Sequence, residues 1–298
     1  MEKVKFSEAG IINYLQKIIK KDNDVFVGIG DDAAVLKFNK EKYLLYTCDM
    51  IIEGTHFTKD ARPFEIGHKA LAVAASDIAA MGGIPRYAVV SLGLPRASGF
   101  RFVKDFYKGL LNLAKELKIN IVGGDTDRAS KITVDVSMIG FVEKKNLVLR
   151  SGAKMRDYIF VSGRLGGSIY GRHLNFMPQI GLARYLVNNF KIHAMIDLSD
   201  GLAQDLYRLT DASKSGALIY EEFIPLAEEA KRFKEALCMG EDFQLLFTVP
   251  ESVGERLIRL NRRKLFYIGV ITDKKSGLRI VSRSGHAKQL RLGGFSHF

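Results

Sequence analysis

In Phe64-Glu65-Ile66-Gly67-His68-Lys69-Ala70-Leu71-Ala72-Val73-Ala74-Ala75-Ser76-Asp77-Ile78-Ala79-Ala80-Met81-Gly82-Gly83, the residues Ile66, Ala70, Val73, Ala74 and Ile78 recur at helical spacing. Gly82-Gly83 supply the stop, so a helix is expected from about Phe64 to Met81. Before it, the apolar run Leu44-Leu45-Tyr46-Thr47 leads into Asp49, as expected of a strand that delivers an acid at its end. After it, Tyr87 to Leu92 reads as a strand. A second amphipathic helix runs from about Gly99 to Leu117, with Phe102, Phe106, Leu110, Leu113 and Leu117 on one face. Ile119 to Val122 is a short strand ending in Gly123-Gly124-Asp125, and Ile132 to Val142 alternates as a longer one.

The rhythm then restarts. Tyr158 to Ser162 is a strand followed by a glycine-rich turn, Gly163 to Gly167. Ala194-Met195-Ile196 is a strand running into Asp197, Leu202 to Leu209 begins a helix, and Phe243 to Val249 is a strand. Strands and helices are mixed, with some strands consecutive. The expected class is therefore α+β in two α/β domains, residues 1–150 and 151–298, with the boundary near Ser151-Gly152.

At 298 residues the chain is long enough for two packed domains, and 47% hydrophobic with 26% charged residues is ordinary globular composition. No run of 18 apolar residues occurs, so no membrane span is expected. Met1 to Lys21 has no continuous apolar stretch and no small-residue cleavage site, which argues against a signal peptide. Cys48 and Cys238 belong to no pattern and fit a reducing, cytoplasmic setting. The six histidines lack metal spacing, which argues against zinc. The net charge of +12 admits a polyanion partner, but the densest cluster, Arg259, Arg262, Arg263 and Lys264, has no interleaved aromatic platform. It reads as a solvated basic surface and not as a nucleic-acid site.

Acids beside glycine or hydroxyl residues recur along the chain: Gly30-Asp31-Asp32, Thr47-Cys48-Asp49, Ser76-Asp77, Gly123-Gly124-Asp125, Asp197-Leu198-Ser199-Asp200-Gly201 and Gly240-Glu241-Asp242. One such site alone is a turn or a helix cap. Gathered in one cleft, these carboxylates would repel one another unless a hard cation with oxygen ligands compensated them. Magnesium shared with substrate phosphates is the expectation if they converge. Gly28-Ile29-Gly30-Asp31-Asp32-Ala33 also matches a dinucleotide fingerprint, but Asp31 and Asp32 would stand where a pyrophosphate must sit. The P-loop and protein-kinase signatures are absent.

Taken in order, these segments resemble the thiamine-monophosphate kinase family, of the superfamily that includes aminoimidazole-ribonucleotide synthetase and selenophosphate synthetase. The matching pieces are Gly28 to Val35, Thr47-Cys48-Asp49 with Glu53-Gly54-Thr55-His56-Phe57, Gly67 to Gly83, Gly123-Gly124-Asp125-Thr126, Met195 to Leu202, Gly240 to Phe247 and Gly294 to Phe298. The resemblance implies an N-terminal domain that dimerises through its strands and a C-terminal domain that closes a nucleotide cleft. It implies Asp32, Thr47, Asp49, Asp77, Asp125, Asp197 and Asp200 as ligands of several magnesium ions. Tyr107, Gly124, Asp125, Arg150 and Ser199 would contact ATP, and His56, Glu241 and Phe295 would hold thiamine monophosphate. Three places depart from the family: Cys48 stands where Thr or Ser is usual, Gly167 where Asp is common, and the stretch near Pro178 is short and lacks the usual Arg-Pro-rich segment.

The implied reaction is direct in-line transfer of the γ-phosphate of ATP onto the substrate's phosphate, which needs no general base. Two alternatives are another ATP-dependent enzyme of the same superfamily and a non-enzymatic polyanion-binding protein. The first 47 residues contain no Cys, which speaks against a selenophosphate synthetase, and a polyanion binder leaves the spaced acidic motifs unexplained.

Overall fold

The computed structural model describes residues 7–260 and 265–294. After helix α1 (Glu8–Ile18) come β1 (Val25–Val27), β2 (Ala34–Lys37), β3 (Lys42–Ile52), β4 (Ile84–Leu94), β5 (Asn120–Arg128) and β6 (Thr133–Glu143). They form one sheet in the order β1-β2-β3-β6-β4-β5. Only the β4–β5 pairing is parallel. Because β3 and β4 both run antiparallel to β6, they are parallel to each other. Two crossovers result: α2 (Pro63–Ala80) joins β3 to β4, and α3 (Gly99–Leu117) joins β4 to β5.

Alternation along β3 and β6 assigns the faces. Val134, Val136 and Met138 of β6 are buried under the helices, as are Leu45 and Ile51 of β3. On the other face Tyr46, Met50, Tyr87 and Val89 stay exposed.

The second sheet holds β7 (Tyr158–Val161), β8 (Ala194–Asp197), β9 (Gly216–Tyr220), β10 (Leu245–Val249), β11 (Phe266–Thr272), β12 (Leu278–Val281) and β13 (Ala287–Gln289), in the order β13-β12-β9-β11-β7-β10-β8. Helices cover both of its faces. Leu202, Leu206 and Leu209 of α5 (Leu202–Ala212) pack with Ile159, Val161 and Ile196. Ala183 and Leu186 of α4 (Ile180–Asn189) and Leu257 of α7 (Glu251–Leu260) pack with Phe160, Met195 and Phe247. The remaining helix is α6 (Phe233–Cys238).

Helix α2 belongs to both halves. It is apolar almost all round, which suits a helix enclosed on every side. Its Ile66, Ala70, Leu71 and Ile78 lie in the core of the first sheet, while Ala79 and Ala80 enter the core of the second. Alanine and glycine keep its girth small enough to be sandwiched. At Gly67 an added Cβ would lie 2.0 Å from the Phe106 carbonyl oxygen, and at Gly109 of α3 it would lie 1.9 Å from the Phe64 carbonyl oxygen. The two helix backbones therefore touch at a reciprocal pair of glycines.

The α+β class and the two sheet-bearing halves agree with the sequence reading, and so does α3. Several strand limits differ, among them β4, which spans Ile84–Leu94 and not Tyr87 to Leu92. Strand β3 runs on to Ile52, so Asp49 lies within it and not at its end. Strand β5 does not stop before Gly123 but continues through Arg128, because β4 goes on offering backbone partners as far as Leu94. A Cβ on Gly124 would meet the Val90 carbonyl oxygen at 1.9 Å, so glycine permits that pairing. Phe243 precedes β10, which begins at Leu245. Among the described residues no helix is long and apolar enough to cross a membrane.

Replacing Gly109 with Ala drives a methyl group into the α2 backbone, where no side chain can yield. The expected loss is about 2 kcal/mol or more in denaturant unfolding. A change within about 0.5 kcal/mol, as for ordinary surface substitutions, would contradict this close crossing.

Candidate active site

Four of the recurring acids converge where α2 meets both sheets. Asp32 sits just before β2, Asp49 on β3, Asp77 in the last turns of α2 and Asp197 at the end of β8. Carboxylate oxygens of Asp32, Asp77 and Asp197 all lie within 4.8 Å of one another. The Thr47 hydroxyl donates to Asp77 Oδ2 at 2.6 Å, and the Ser76 hydroxyl donates to Asp197 Oδ2 at 2.6 Å. Arg150 grips Asp32 through Nε at 3.1 Å and Nη2 at 2.6 Å, and its backbone N–H donates to the Asp31 carboxylate at 3.2 Å.

Burial raises every one of these carboxyls above the ordinary range. Asp31 is pushed up to about 7 by desolvation and the neighbouring Asp32. Asp49 is pushed up to about 6, chiefly by desolvation, although a hydrogen bond with Asp77 opposes the rise. Asp32, Asp77 and Asp197 are raised by desolvation, to which the repulsion of neighbouring carboxylates adds at Asp77 and Asp197. Asp32 Oδ2 is buried without a hydrogen-bond partner. An all-oxygen donor set with an orphaned carboxylate oxygen fits a hard divalent cation.

The other expected residues fall into separate groups. Asp200 is held by Arg208 Nη1 at 2.5 Å, and Arg208 also contacts Asp205 at 2.9 Å. Asp205 Oδ2 accepts from the Asp200 and Gly201 N–H groups, which fixes the loop between β8 and α5. Ser199 is in that loop, and its carbonyl accepts from the Glu241 N–H at 2.7 Å. Asp125 is not brought to the cluster. It pairs with Ser91, which pairs with Asp135, which pairs with Met50, so it shares the open face of the sheet with Met50 and not the face of Asp49. Three inter-strand spacings separate β3 from β5, about 14 Å. Gly124 lies beside Asp125, and Tyr107 packs edge-on against Phe106 with centroids 5.2 Å apart.

His56 and Glu241 come together at the other end of α2. The His56 Nδ1 accepts from the Ile52 N–H at 3.0 Å, which in the neutral ring leaves the proton on Nε2. Glu241 and Phe243 have positive φ of 70° and 47°, a backbone state L-residues rarely hold without a compensating fit. The fit is visible: Phe243 stacks on Phe176 at 4.1 Å, and Asp242 accepts from the Gly166 N–H at 2.8 Å and from Arg172 at 3.0 Å. Phe295 lies outside the described residues, as do Arg262, Arg263 and Lys264 of the basic cluster.

Sequence reasoning missed Ser76 as a partner of Asp197, Asp205 and Arg208 as holders of Asp200, and Lys69 and His173 beside Glu241. Lys69 carried a usable signal, a charged residue on the inward face of an otherwise apolar helix. Asp205 carried another, an acid in the first turn of a helix that opens on Gly201.

Residues 30–142 match the N-terminal domain of the AIR synthase related proteins, and residues 147–281 match their C-terminal domain. The thiamine-monophosphate kinase of Bacillus subtilis is 34% identical, covering 93% of this chain and 94% of the relative. That of Escherichia coli K12 is 32% identical, covering 97% of each. The chain belongs to the thiamine-monophosphate kinase family. Among solved structures, AaThiL complexed with AMPPCP and TMP matches with a TM-score of 0.87 at 30% identity, over 100% of this chain and 99% of that one. The thiamine-monophosphate kinase of Stenotrophomonas maltophilia matches with a TM-score of 0.76 at 30% identity, over 95% of this chain and 98% of that one.

The raised carboxyls fix the sign of the pH dependence. Asp31 and Asp49 hold their protons to higher pH when folded, so their contribution to stability is complete below the unfolded value of 3.8. It is lost as pH rises through about 6 to 7. In the presence of a chelator the melting temperature should therefore fall between about pH 4 and 7, and magnesium should raise it again at the upper end. A flat profile with no response to magnesium in thermal scans would contradict this electrostatic reading.

Proposed function

We propose that this chain transfers the γ-phosphoryl group of ATP directly to thiamine monophosphate, releasing thiamine diphosphate and ADP. The observation that carries this is similarity along the whole chain to thiamine-monophosphate kinases, including the complex with AMPPCP and TMP. AMPPCP is an ATP analogue whose β–γ bridge is a methylene, and TMP is read here as thiamine monophosphate.

The chemistry asks for placement more than for proton transfer. An oxygen of the monophosphate forms a bond to the γ-phosphorus as the bond between that phosphorus and the β–γ bridging oxygen breaks. A phosphate monoester is largely dianionic near neutral pH, so no proton has to be removed from the nucleophile. Asp32, Asp77 and Asp197 would hold magnesium, with Asp49, Thr47 and Asp200 alongside. Bound there, magnesium supplies positive charge that screens two polyanions from each other and from the carboxylates. Arg150 would turn from Asp32 towards phosphate, since its guanidinium donors suit both anions. Ser199 would line the nucleotide beside the cluster; the family resemblance adds Gly124, Asp125 and Tyr107, of which Asp125 faces the open side of the sheet and could reach the nucleotide only from there. His56 and Glu241 would hold the thiamine end, joined by Phe295 from the tail.

We put the boundary between the two domains between residues 150 and 151, just after Arg150. A homodimer through the open face of the first sheet is part of the same proposal, because Tyr46, Met50, Tyr87, Val89 and Val122 leave it apolar and exposed. A cytoplasmic setting fits the two free thiols, Cys48 and Cys238.

Purified protein with ATP, magnesium and thiamine monophosphate should give thiamine diphosphate and ADP in equal amounts by mass spectrometry. Absence of thiamine diphosphate while ATP is still bound in a magnesium-dependent way would overturn the choice of acceptor. Asp77→Asn should lower kcat by about a hundredfold or more with the fold retained by circular dichroism. Near-normal turnover in that variant would remove Asp77 from the cation site.

A further inference from the structure

Lys69 lies in the middle of α2 with its side chain fully buried. A buried ammonium group is costly unless every N–H finds an acceptor. Here three donors meet three acceptors: the His56 carbonyl oxygen at 2.6 Å, His173 Nδ1 at 2.8 Å, and Glu241 Oε2 in a close ion pair. They come from three segments. His56 is in the turn after β3, His173 is in the 3-10 turn Arg172–Leu174, and Glu241 is in the strained loop before β10.

The donor roles follow once Lys69 is charged. Lysine can only donate and a carboxylate can only accept, so a charged Lys69 makes His173 Nδ1 an acceptor. That nitrogen also lies 3.2 Å from Glu241 Oε2, a pair that repels until a donor stands between them. Lys69 is that donor. Desolvation lowers the Lys69 pKa, and the Glu241 charge opposes the fall.

Lys69, Val73 and Asp77 follow one another at i, i+4 and i+8, so they share a face of α2. Eight residues of helix span about 12 Å. One rigid helix therefore carries a cation ligand at one end and, two turns away, the group that gathers His56 and Glu241.

We infer that Lys69 is a positioning residue that binds the His56 turn and the Glu241 loop into one wall and sets that wall at a fixed distance from the acidic cluster. This deepens the proposed function and rests on its assignment of His56 and Glu241 to the thiamine end. Lys69 selects for acceptors whose phosphate and recognised ring match this span. It acts on the acceptor and not on ATP.

The test is Lys69→Met, with His173→Gln as a milder variant that removes one acceptor geometry if the first fails to fold. In either variant KM for thiamine monophosphate should rise about tenfold or more, while KM for ATP stays within about twofold. In Lys69→Met/Glu241→Gln the effect should be no larger than in the more affected single variant, as for residues acting as a unit. Without substrate, hydrogen exchange should quicken in peptides covering 52–57 and 240–243 but not in 70–78. That readout stands even if thiamine monophosphate is the wrong acceptor, which wild-type turnover decides separately. Folded variants with unchanged exchange in both loops would overturn the inference. So would an equal loss in both KM values accompanied only by a lower melting temperature, as a merely structural lysine would give.

Discussion

Buried carboxylates repel one another, and the first requirement on this molecule is to hold Asp32, Asp49, Asp77 and Asp197 together regardless. No single element does it. A loop before β2, the strand β3, the helix α2 and the strand β8 each contribute one acid. Their approach is enforced by hydrophobic packing elsewhere and softened by Arg150, Thr47 and Ser76. Hydrophobic burial spread over two cores can carry such a local penalty, which is how strained and charged sites persist in stable folds. In the proposed function, binding a cation and phosphates would relieve a tension already built into the protein.

Helix α2 is the element through which packing reaches chemistry. Its glycine contact with α3 fixes it on the first sheet, and its terminal alanines enter the core of the second. Lys69, Ser76 and Asp77 are among the few polar residues of this largely apolar helix. The helix thus joins the two halves and sets the distance between its two polar sites. The Lys69 contacts lie toward its start and the Asp77–Asp197 approach near its end. The loops around Asp200 and Glu241 are tied to each other by the Glu241 to Ser199 backbone bond, so in the proposed function the nucleotide and acceptor sides would share a support.

Much of this was legible in the sequence, for reasons particular to the residues. Periodicity located α2 and α3 because their apolar faces are long and uninterrupted. Acids set close to glycine or hydroxyl residues marked the four cluster positions, because turns, caps and cation ligands all draw on those residues. Strand ends were harder: β3 runs past Asp49 and β5 past Gly124, since pairing with a neighbour decides where a strand stops. Pairing partners are non-local and leave no mark in a short window. The same limit hid the face of Asp125, which depends on register across three strands. Partners such as Ser76 with Asp197, or Lys69 with Glu241, lie more than a hundred residues apart, and only the fold joins them.

Crystals soaked in manganese chloride and measured at the manganese absorption edge would locate the cation directly. An anomalous peak within about 2.5 Å of carboxylate oxygens from Asp32, Asp77 and Asp197 is the expected result. Manganese bound elsewhere, with these three carboxylates left without it, would contradict the assignment of the buried cluster as the cation site.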